Sequence, residues 1–457
     1  MEQNTVVKEN KMGTLPVGKL LAGMALPMVI SMLFQALYNI VDSIFVSKLS
    51  QDAMNAVSLS FPIQTLLIAF SNGSGIGMNA LLSRSLGEKR QDKVDQTACT
   101  GLFMFGVLAL VFSLLGFVFA FDYFRIQTDN PAIIQYGGDY LTVCIGVCYF
   151  LFGQIAMERL LQSTGRTDLA MIPQLTGAIL NMILDPIFIF GLLGAPRMEV
   201  KGAAVATVIG QGAATVIGII LNLKKNHEIR LSFKLIRPRK AIIREMYSIG
   251  LPSIIMQAIG SFMNFFMNKI LISFTEAATA VFGAYYKLQS FIFMPVFGLN
   301  GAMIPIISYN YGAAKLDRVK KTFKLAVLAA ITIMSLGTLV FETIPGALIG
   351  IFSPSEEMLA IGKTALRIIA VHFPLAGFCI VSGSAFQAIG NPLHAMITSF
   401  CRQLLVLLPA AYLLSLSGRL ELVWLAFPIA ELASLILSAI FLKSTFRHAE
   451  ARIGRKS

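Results

Sequence analysis

The sequence predicts an all-α polytopic membrane protein with twelve transmembrane helices, arranged as two pseudo-symmetric bundles of six. Three observations support this prediction: long apolar runs, the distribution of basic residues, and an internal repeat. The chain has 457 residues, of which 56% are hydrophobic and only 13% are charged, whereas soluble domains carry about 25% charged residues. The mean hydropathy of +0.73 also indicates a membrane protein.

Apolar runs long enough to cross a bilayer recur along the chain. The runs at 101–121 and 325–341 approach the ~20 apolar residues that a membrane-spanning helix requires. A transmembrane β-barrel would instead alternate apolar and polar residues with a period of two. We predict spans at residues 17–46, 53–80, 94–121, 134–157, 168–192, 201–223, 243–272, 278–307, 319–343, 360–383, 394–416 and 421–444.

The basic residues cluster on alternate loops. The net charge is +13, and with twelve spans the clusters all fall on one face of the membrane. Because cytoplasmic loops carry the excess of Lys and Arg, we predict a multi-pass protein of the cell membrane with both termini in the cytoplasm. We expect the clusters to face anionic lipid and not nucleic acid. They lie at Lys8, Lys11 and Lys19, in residues 84–93, 224–244 and 315–324, and in the tail from Lys443 to Lys456.

The two halves of the sequence match at a shift of 225 residues without a gap. "SRSLGEKRQDKV" (Ser83 to Val94) aligns with "SYNYGAAKLDRV" (Ser308 to Val319). Because each half has six spans, both enter the membrane from the same side, as in transporters that hold substrate at the repeat interface. We predict an N-terminal bundle (1–223), a basic cytoplasmic linker (224–242) and a C-terminal bundle with a cytoplasmic tail (243–457). Other matched pairs are Pro27 with Pro252, Gly73 with Gly298, and Gln162 with Gln387.

Two carboxylates lie inside apolar spans of the first half. Asp42 is in "FQALYNIVDSIFVS", and Asp185 is in "LTGAILNMILDPIFIFGLLG", directly before Pro186. A charge in the hydrocarbon costs at least a few kcal/mol, so such residues usually face a cavity and serve a function. The alternative is that each Asp only pairs with a neighbour on its own helix.

Spacing places further polar residues beside these carboxylates. Asn181 and Asp185 are four residues apart, and Asn39 and Asp42 are three apart, so each pair shares a helix face. Gln35, one turn before Asn39, and Thr207, at a similar depth in span six, complete the predicted group. Oxygen ligands suit hard cations, and two close buried carboxylates also favour a bound proton. We therefore predict a coupling site for Na⁺ or H⁺, in which Asp42, Asn181 and Asp185 are the metal ligands if the ion is Na⁺.

The second half lacks these residues at the equivalent positions. Asp42 corresponds to Met267, Asn181 to Val406, Asp185 to Ala410 and Thr207 to Leu432. We therefore expect the ion chemistry to belong to the first half alone. Glu431 and His372 also lie near or within spans; no partner for Glu431 is evident from sequence, and we interpret His372 as a packing residue.

Three further features bear on mechanism. Pro27 removes a backbone donor and is expected to kink its helix, so we predict a gating bend at that point. Lys287 lies deep in span eight, where it either faces the central cavity, pairs with a carboxylate across it, or snorkels to the membrane surface. We interpret the five cysteines as small packing residues: Cys99, Cys144, Cys148, Cys379 and Cys401.

These residues resemble the multidrug and toxic compound extrusion (MATE) family along nearly the whole chain. The resemblance implies a V-shaped pair of six-helix bundles that exports amphipathic, often cationic compounds in exchange for Na⁺ or H⁺. It also implies the bacterial branch with an acidic site in the N-terminal bundle, where Asp42, Asn181 and Asp185 match positions implicated in coupling. The resemblance is carried by Pro27, "LYNIVDSIFV", "SRSLGEK", "QSTGRTDLA", "NMILDPIFIFG", "GAAVATVIGQ", "SYNYGAAK" and "QAIGNPLHA".

The predicted function is secondary active efflux, with small amphipathic organic compounds as substrates. Flexible Met and aromatic residues suit a varied set of organic cations, and we predict a cavity lined by Met263, Met267, Phe291 and Met294, with Lys287. No GxxxxGK[ST] motif or nucleophile–base pair is present, so we expect neither an enzyme nor a cofactor. We expect a monomer. The alternative is a flippase for lipid-linked precursors, which would favour a strongly cationic cavity.

Overall fold

The structure is a computed structural model that describes residues 9–232, 238–352 and 354–454, and within these ranges it is helical. A 3₁₀ turn follows α7 at Leu192–Gly194, and a π-helical turn links α15 to α16 at Cys401–Leu407. The α-helices are α1 (Lys11–Thr14), α2 (Val17–Ser47), α3 (Gln51–Gly87), α4 (Gln91–Gln127), α5 (Pro131–Gly146), α6 (Tyr149–Ser163), α7 (Thr167–Phe190), α8 (Glu199–Lys225), α9 (Lys240–Ile272), α10 (Glu276–Gly312), α11 (Leu316–Thr343), α12 (Pro345–Gly350), α13 (Glu356–Ala370), α14 (Phe373–Ile389), α15 (Pro392–Phe400), α16 (Leu408–Ser415), α17 (Leu420–Trp424) and α18 (Ala426–Gly454).

Ten helical segments in the described ranges are long and apolar enough to cross a membrane, and two bent helix pairs raise the number to twelve. The bends are 42° between α5 and α6 and 50° between α13 and α14. The second bend falls just before Pro374, whose ring lacks a backbone N–H donor. The predicted all-helical polytopic membrane protein is confirmed.

The first and second halves meet through two equivalent helix pairs. Helix α2 packs against α10, and α3 packs against α9. Glycines permit these close approaches: a Cβ on Gly73 would lie 2.8 Å from the carbonyl oxygen of Gly250, and one on Gly298 would lie 2.7 Å from the amide of Val29. Gly73 and Gly298 are the matched glycines of the repeat, so the junction follows the sequence symmetry.

In each half, the start of the first long helix also packs into the core of the other half. Leu20 and Met24 of α2 are buried in the apolar core of the second half. Ile242 and Met246 of α9 are buried in the core of the first half. This exchange lies at one end of the molecule, which we call the basic end because it carries the loops with Lys89, Arg90 and Arg318, and it closes the two halves together there.

The N-terminal segment reinforces the closure at the basic end. The Asn10 amide donates to the carbonyl of Thr164, at 3.0 Å, and to the carboxylate of Glu228. The carbonyl of Met12, a fully buried residue, accepts a 2.9 Å bond from the amide of Asn310. The segment therefore bonds to both halves at once.

Candidate functional site

The first half contains a buried polar site between α2 and α7. Asp185 has no exposed surface and Asn181 is 3% exposed. The Asn181 amide satisfies both of its ends when Nδ2 donates to Asp185 Oδ2, at 3.0 Å, and Oδ1 accepts from the backbone N–H and the hydroxyl of Thr207, at 2.9 and 3.0 Å. The opposite orientation would point two acceptors at each other. Asn181 thus links α7 to α8.

Asp42 of α2 faces the same site. It lies close enough to Asp185 for the two carboxylates to repel each other electrostatically. Its Oδ1 atom is buried without a hydrogen-bond partner in the described part of the chain. The hydroxyl of Tyr38, one turn earlier, is hydrogen-bonded to Thr207. The structure therefore brings together Asp42, Asn181, Asp185 and Thr207, which the sequence analysis grouped from helical spacing.

Helix α5 adds two residues that the sequence analysis did not assign to the site. Tyr140 and Cys144 are hydrogen-bonded to each other, and both lie within electrostatic range of Asp42. Gln64 of α3 is hydrogen-bonded to Tyr140. Tyr38 was also missed. The sequence feature that could have identified these residues is helical spacing. Tyr38 is four residues before Asp42, and Tyr140 is four residues before Cys144.

Two further residues predicted for the coupling site, Gln35 and Asn39, are placed differently. The Gln35 side chain accepts a 3.1 Å hydrogen bond from Gln174, two helical turns before Asn181. Asn39 is exposed. Gln35 therefore extends a polar seam between α2 and α7, while Asp185 and Asn181 are the buried members of the acidic site.

The donor set suits a small monovalent cation or a proton. It offers two carboxylates, one amide oxygen and several hydroxyls, and oxygen ligands are typical of hard cations. Among the described residues there is no group of three or more His, Cys, Asp and Glu side chains placed to hold a metal ion. Transition metals are usually held by clusters of this kind in which His nitrogen and Cys sulfur atoms are the main ligands.

Pro27 lies within α2, which continues through it to the acidic site. The residues directly after it, Met28 and Val29, form the contact with Gly298 of α10. Any bend at Pro27 therefore acts both on the junction between the halves and on the position of Asp42. The gating bend itself stays a prediction.

The second half places the predicted cavity residues differently. Met267 is fully buried and Met263 is 6% exposed, and both pack in the apolar core of the second half. They were expected to line an adaptable apolar cavity; in this structure both side chains are enclosed by neighbouring helices, and their part in a cavity stays a prediction. Phe291 is 41% exposed and Met294 is half-buried, so these two remain available to a solute.

Lys287 is exposed, and its ammonium lies 6.0 Å from the ring centroid of Phe352. Phe352 follows α12, at the end of the molecule opposite the basic end. The ammonium thus lies near an aromatic ring of its own half.

Comparison with known proteins supports the same architecture. A sequence model of the MatE family matches residues 27–187 and 252–413, two segments that start 225 residues apart (252 − 27). The multidrug export protein MepA of Staphylococcus haemolyticus is 27% identical over 402 residues, which cover 88% of this chain and 88% of that protein. The FAD transporter of Shewanella oneidensis is 27% identical over 418 residues, which cover 91% and 92%.

Solved structures share the fold. One, described as the outward-facing conformation of a multidrug resistance MATE family transporter of the MOP superfamily, has a TM-score of 0.92 at 24% identity and covers 97% of this chain and 99% of that one. A second, a MATE structure in complex with MaL6, has a TM-score of 0.91 at 23% identity and covers 97% and 100%. Since the family model matches most of the sequence, the chain belongs to the MatE family of membrane transporters.

Proposed function

We propose that this protein is a secondary active antiporter that exports amphipathic, often cationic organic compounds in exchange for H⁺ or Na⁺, acting as a monomer. The observation that carries the proposal is the pairing of Asp42 with Asp185 inside the apolar first half. Two buried carboxylates repel each other, and a bound cation or proton relieves that repulsion. The unpartnered Oδ1 of Asp42 is free to receive the ion.

The residues around the carboxylates support an ion that binds and leaves. Asn181 of α7 and Thr207 of α8 hold Asp185 in place through their hydrogen bonds. Asp42 instead lies on α2, which also forms the junction between the halves. Ion binding that draws Asp42 toward Asp185 would therefore change how α2 packs against α10. We propose that this movement couples the ion to alternating access.

We further propose that the basic end faces the cytoplasm, as the positive-inside rule requires. The closure formed by Asn10, Met12 and the glycine contacts is then on the cytoplasmic side. With this orientation the closure blocks access from the cytoplasm, and in our proposal the first half (1–223) and second half (243–457) are the two bodies that rock about their junction. The linker is 224–242.

The energetics suit this task. One charge that crosses about 100 mV supplies ~2.3 kcal/mol, which supports roughly a fifty-fold solute gradient. The names of relatives favour organic solutes as cargo: several are multidrug export proteins. A second candidate cargo is a flavin nucleotide, because one relative is named as an FAD transporter.

The test is transport by the purified chain in liposomes, with a sodium gradient and a pH gradient imposed separately. We expect ethidium transport to be driven by one of the two gradients and to be lost in Asp185→Asn. FAD and a lipid-linked precursor serve as competing cargoes in parallel vesicles. Ethidium transport that is independent of both gradients, or flipping of the lipid precursor alone, would reject the antiporter assignment.

A further inference from the structure

We infer that the second half contains its own solute-binding site, in which Arg402 binds a carboxylate or phosphate group of the transported compound. This inference rests on the proposed export function. The guanidinium Nη1 of Arg402 donates to Glu431 Oε2 at 3.1 Å, and the Glu431 side chain is only 3% exposed. The sequence offered no partner for Glu431, and the first half was expected to hold the polar chemistry alone.

The position of Arg402 is built by a local departure from α-helical geometry. Arg402 lies midway along the span Pro392–Ser415, inside the π-helical turn Cys401–Leu407. The equivalent segment of the first half, residues 176–182, is an uninterrupted part of α7. The repeated fold therefore does not require the turn, and π-helical turns of this kind are frequent at functional sites.

Polar residues from three other spans of the second half connect to the ion pair. Cys379 of α14 is hydrogen-bonded to Glu431 and to Ser434. Tyr286 of α10 lies within electrostatic range of Arg402 and is hydrogen-bonded to Asn264 of α9. The cluster thus draws on the first, second, fourth, fifth and sixth spans of its half. The acidic site draws on the same five spans of the first half.

The charges of the two sites differ. The acidic site has two carboxylates and no cation among the residues described above, which suits a positive ion. The second site pairs one cation with one anion, so it is neutral when empty. It does not need a bound cation, and the two sites are suited to different ligands.

Arg402 is the more accessible member of the pair. Its side chain is 28% exposed, while that of Glu431 is enclosed. A guanidinium has five N–H donors in a planar fork that matches carboxylate and phosphate oxygens. Within the described part of the chain, one hydrogen bond of Arg402 is formed, to Glu431. The remaining donors are available to an anionic group.

Two acceptors of this cluster are buried without partners, one in the ion pair itself and one on Asn264, which is hydrogen-bonded to Tyr286. Glu431 Oε1 and Asn264 Oδ1 are both buried and have no hydrogen-bond partner in the described residues. Buried polar atoms are almost always satisfied, so such atoms point to a missing ligand or water. A solute whose anionic group also carries or adjoins a hydrogen-bond donor would satisfy both the N–H donors of Arg402 and these acceptors.

Glu431 is the competitor of the solute in this arrangement. Its carboxylate already occupies part of the guanidinium fork, so it holds Arg402 in place and weakens the attraction for a second anion. The two residues therefore have opposite effects on anion binding. Loss of Arg402 weakens it, and neutralisation of Glu431 strengthens it, whereas a purely structural ion pair would give losses in both cases.

A matched pair of dyes tests this. Rhodamine 110 has a free carboxylate, and rhodamine 123 is its methyl ester. Binding to the purified full chain is followed by fluorescence polarisation. We expect Arg402→Gln to weaken rhodamine 110 binding about tenfold and to change rhodamine 123 binding less than twofold. Glu431→Gln should strengthen rhodamine 110 binding several-fold.

The control is Arg367→Gln, because Arg367 faces Glu342 in a more exposed pair of the same half, with 4.0 Å between Nε and Oε2. It should leave both dyes unaffected. The double variant with Arg402→Gln and Glu431→Gln leaves no lone buried charge if either single variant fails to fold, and it should still lose preference for rhodamine 110. Equal losses for both dyes would overturn the second site. Absence of gradient-driven ethidium transport in the unmodified protein would instead reject the export function.

Discussion

Gly87 lies so close to the backbone carbonyl of Tyr309 that a side chain on Gly87 has no room. Gly312 has the same relationship to the backbone carbonyl of Arg84. Both pairs are related by the 225-residue repeat, since 84 corresponds to 309 and 87 to 312. The closure at the basic end is therefore a symmetric interlock of backbone against backbone, which only glycine at these two positions allows.

Gly87→Ala should separate the two halves at the basic end. The obstacle to the new methyl group is a backbone carbonyl of the opposite half, which cannot rotate aside as a side chain would. Spin labels at Asp92→Cys and Asp317→Cys, both exposed at the start of α4 and α11, should report a distance several ångströms longer. Gly106→Ala is the control, because its Cβ would meet no atom of the described residues within 4 Å. An unchanged distance in Gly87→Ala would contradict the interlock.

Asp42→Asn and Asp185→Asn should each abolish coupled transport while leaving expression intact. Removal of one carboxylate removes the repulsion that a bound ion relieves. The export activity, measured as dye uptake into everted vesicles, should therefore fall at least tenfold. Met267→Asp, at the position that matches Asp42 in the repeat, should not rescue Asp42→Asn, because Met267 is buried in an apolar core. Normal efflux in both single variants would reject the acidic site.

Thr207→Val should weaken ion coupling without abolishing it. The variant keeps the backbone N–H that bonds Asn181 but loses the hydroxyl that bonds Asn181 and Tyr38. A hydrogen bond in a buried site contributes ~1 kcal/mol, so the ion concentration for half-maximal transport should rise about fivefold. Thr176→Val is the control, since among the described residues the Thr176 hydroxyl bonds its own helix, at Ile172. Equal effects of the two variants would remove Thr207 from the site.

Glu228→Gln should change how stability depends on pH. Burial raises the pKa of Glu228, and the hydrogen bond from Asn10 and the charges of Arg166 and Lys11 partly oppose this. The folded state therefore holds the proton more tightly than the unfolded chain. The stability contribution of Glu228 is fully present below its ordinary value of 4.5 and is lost as the pH rises through the folded pKa.

We therefore expect the Glu228→Gln variant to gain stability relative to the unmodified protein as the pH is raised, with a Tm higher by about 2 °C at pH near 8 and no difference near pH 4. Thermal unfolding can be followed with a thiol-reactive dye, because Cys99, Cys148 and Cys379 are buried in the folded state. Glu450→Gln, at an exposed ion pair with Lys320, serves as the control. A pH-independent difference would exclude the burial effect.

Helical spacing was sufficient to predict much of the acidic site. Asn181 and Asp185 share a face because they are one turn apart, and that rule depends only on the local backbone. The same rule did not identify Tyr140, because its approach to Asp42 depends on how α5 packs against α3, α4 and α8. It also placed Asn39 with Asp42, although the rotation of α2 leaves Asn39 exposed.

The sequence by itself determined the membrane class, the helical spans and the repeat, because apolar length and periodic matching are properties of the linear chain. Only the tertiary structure decided that Met267 packs inside a core and that Arg402, in the turn between α15 and α16, forms an ion pair with Glu431 of α18. The physical reason is that contacts between helices depend on crossing angle, rotation and local departures such as the π-helical turn at Cys401–Leu407. None of these is fixed by the residues of one helix alone.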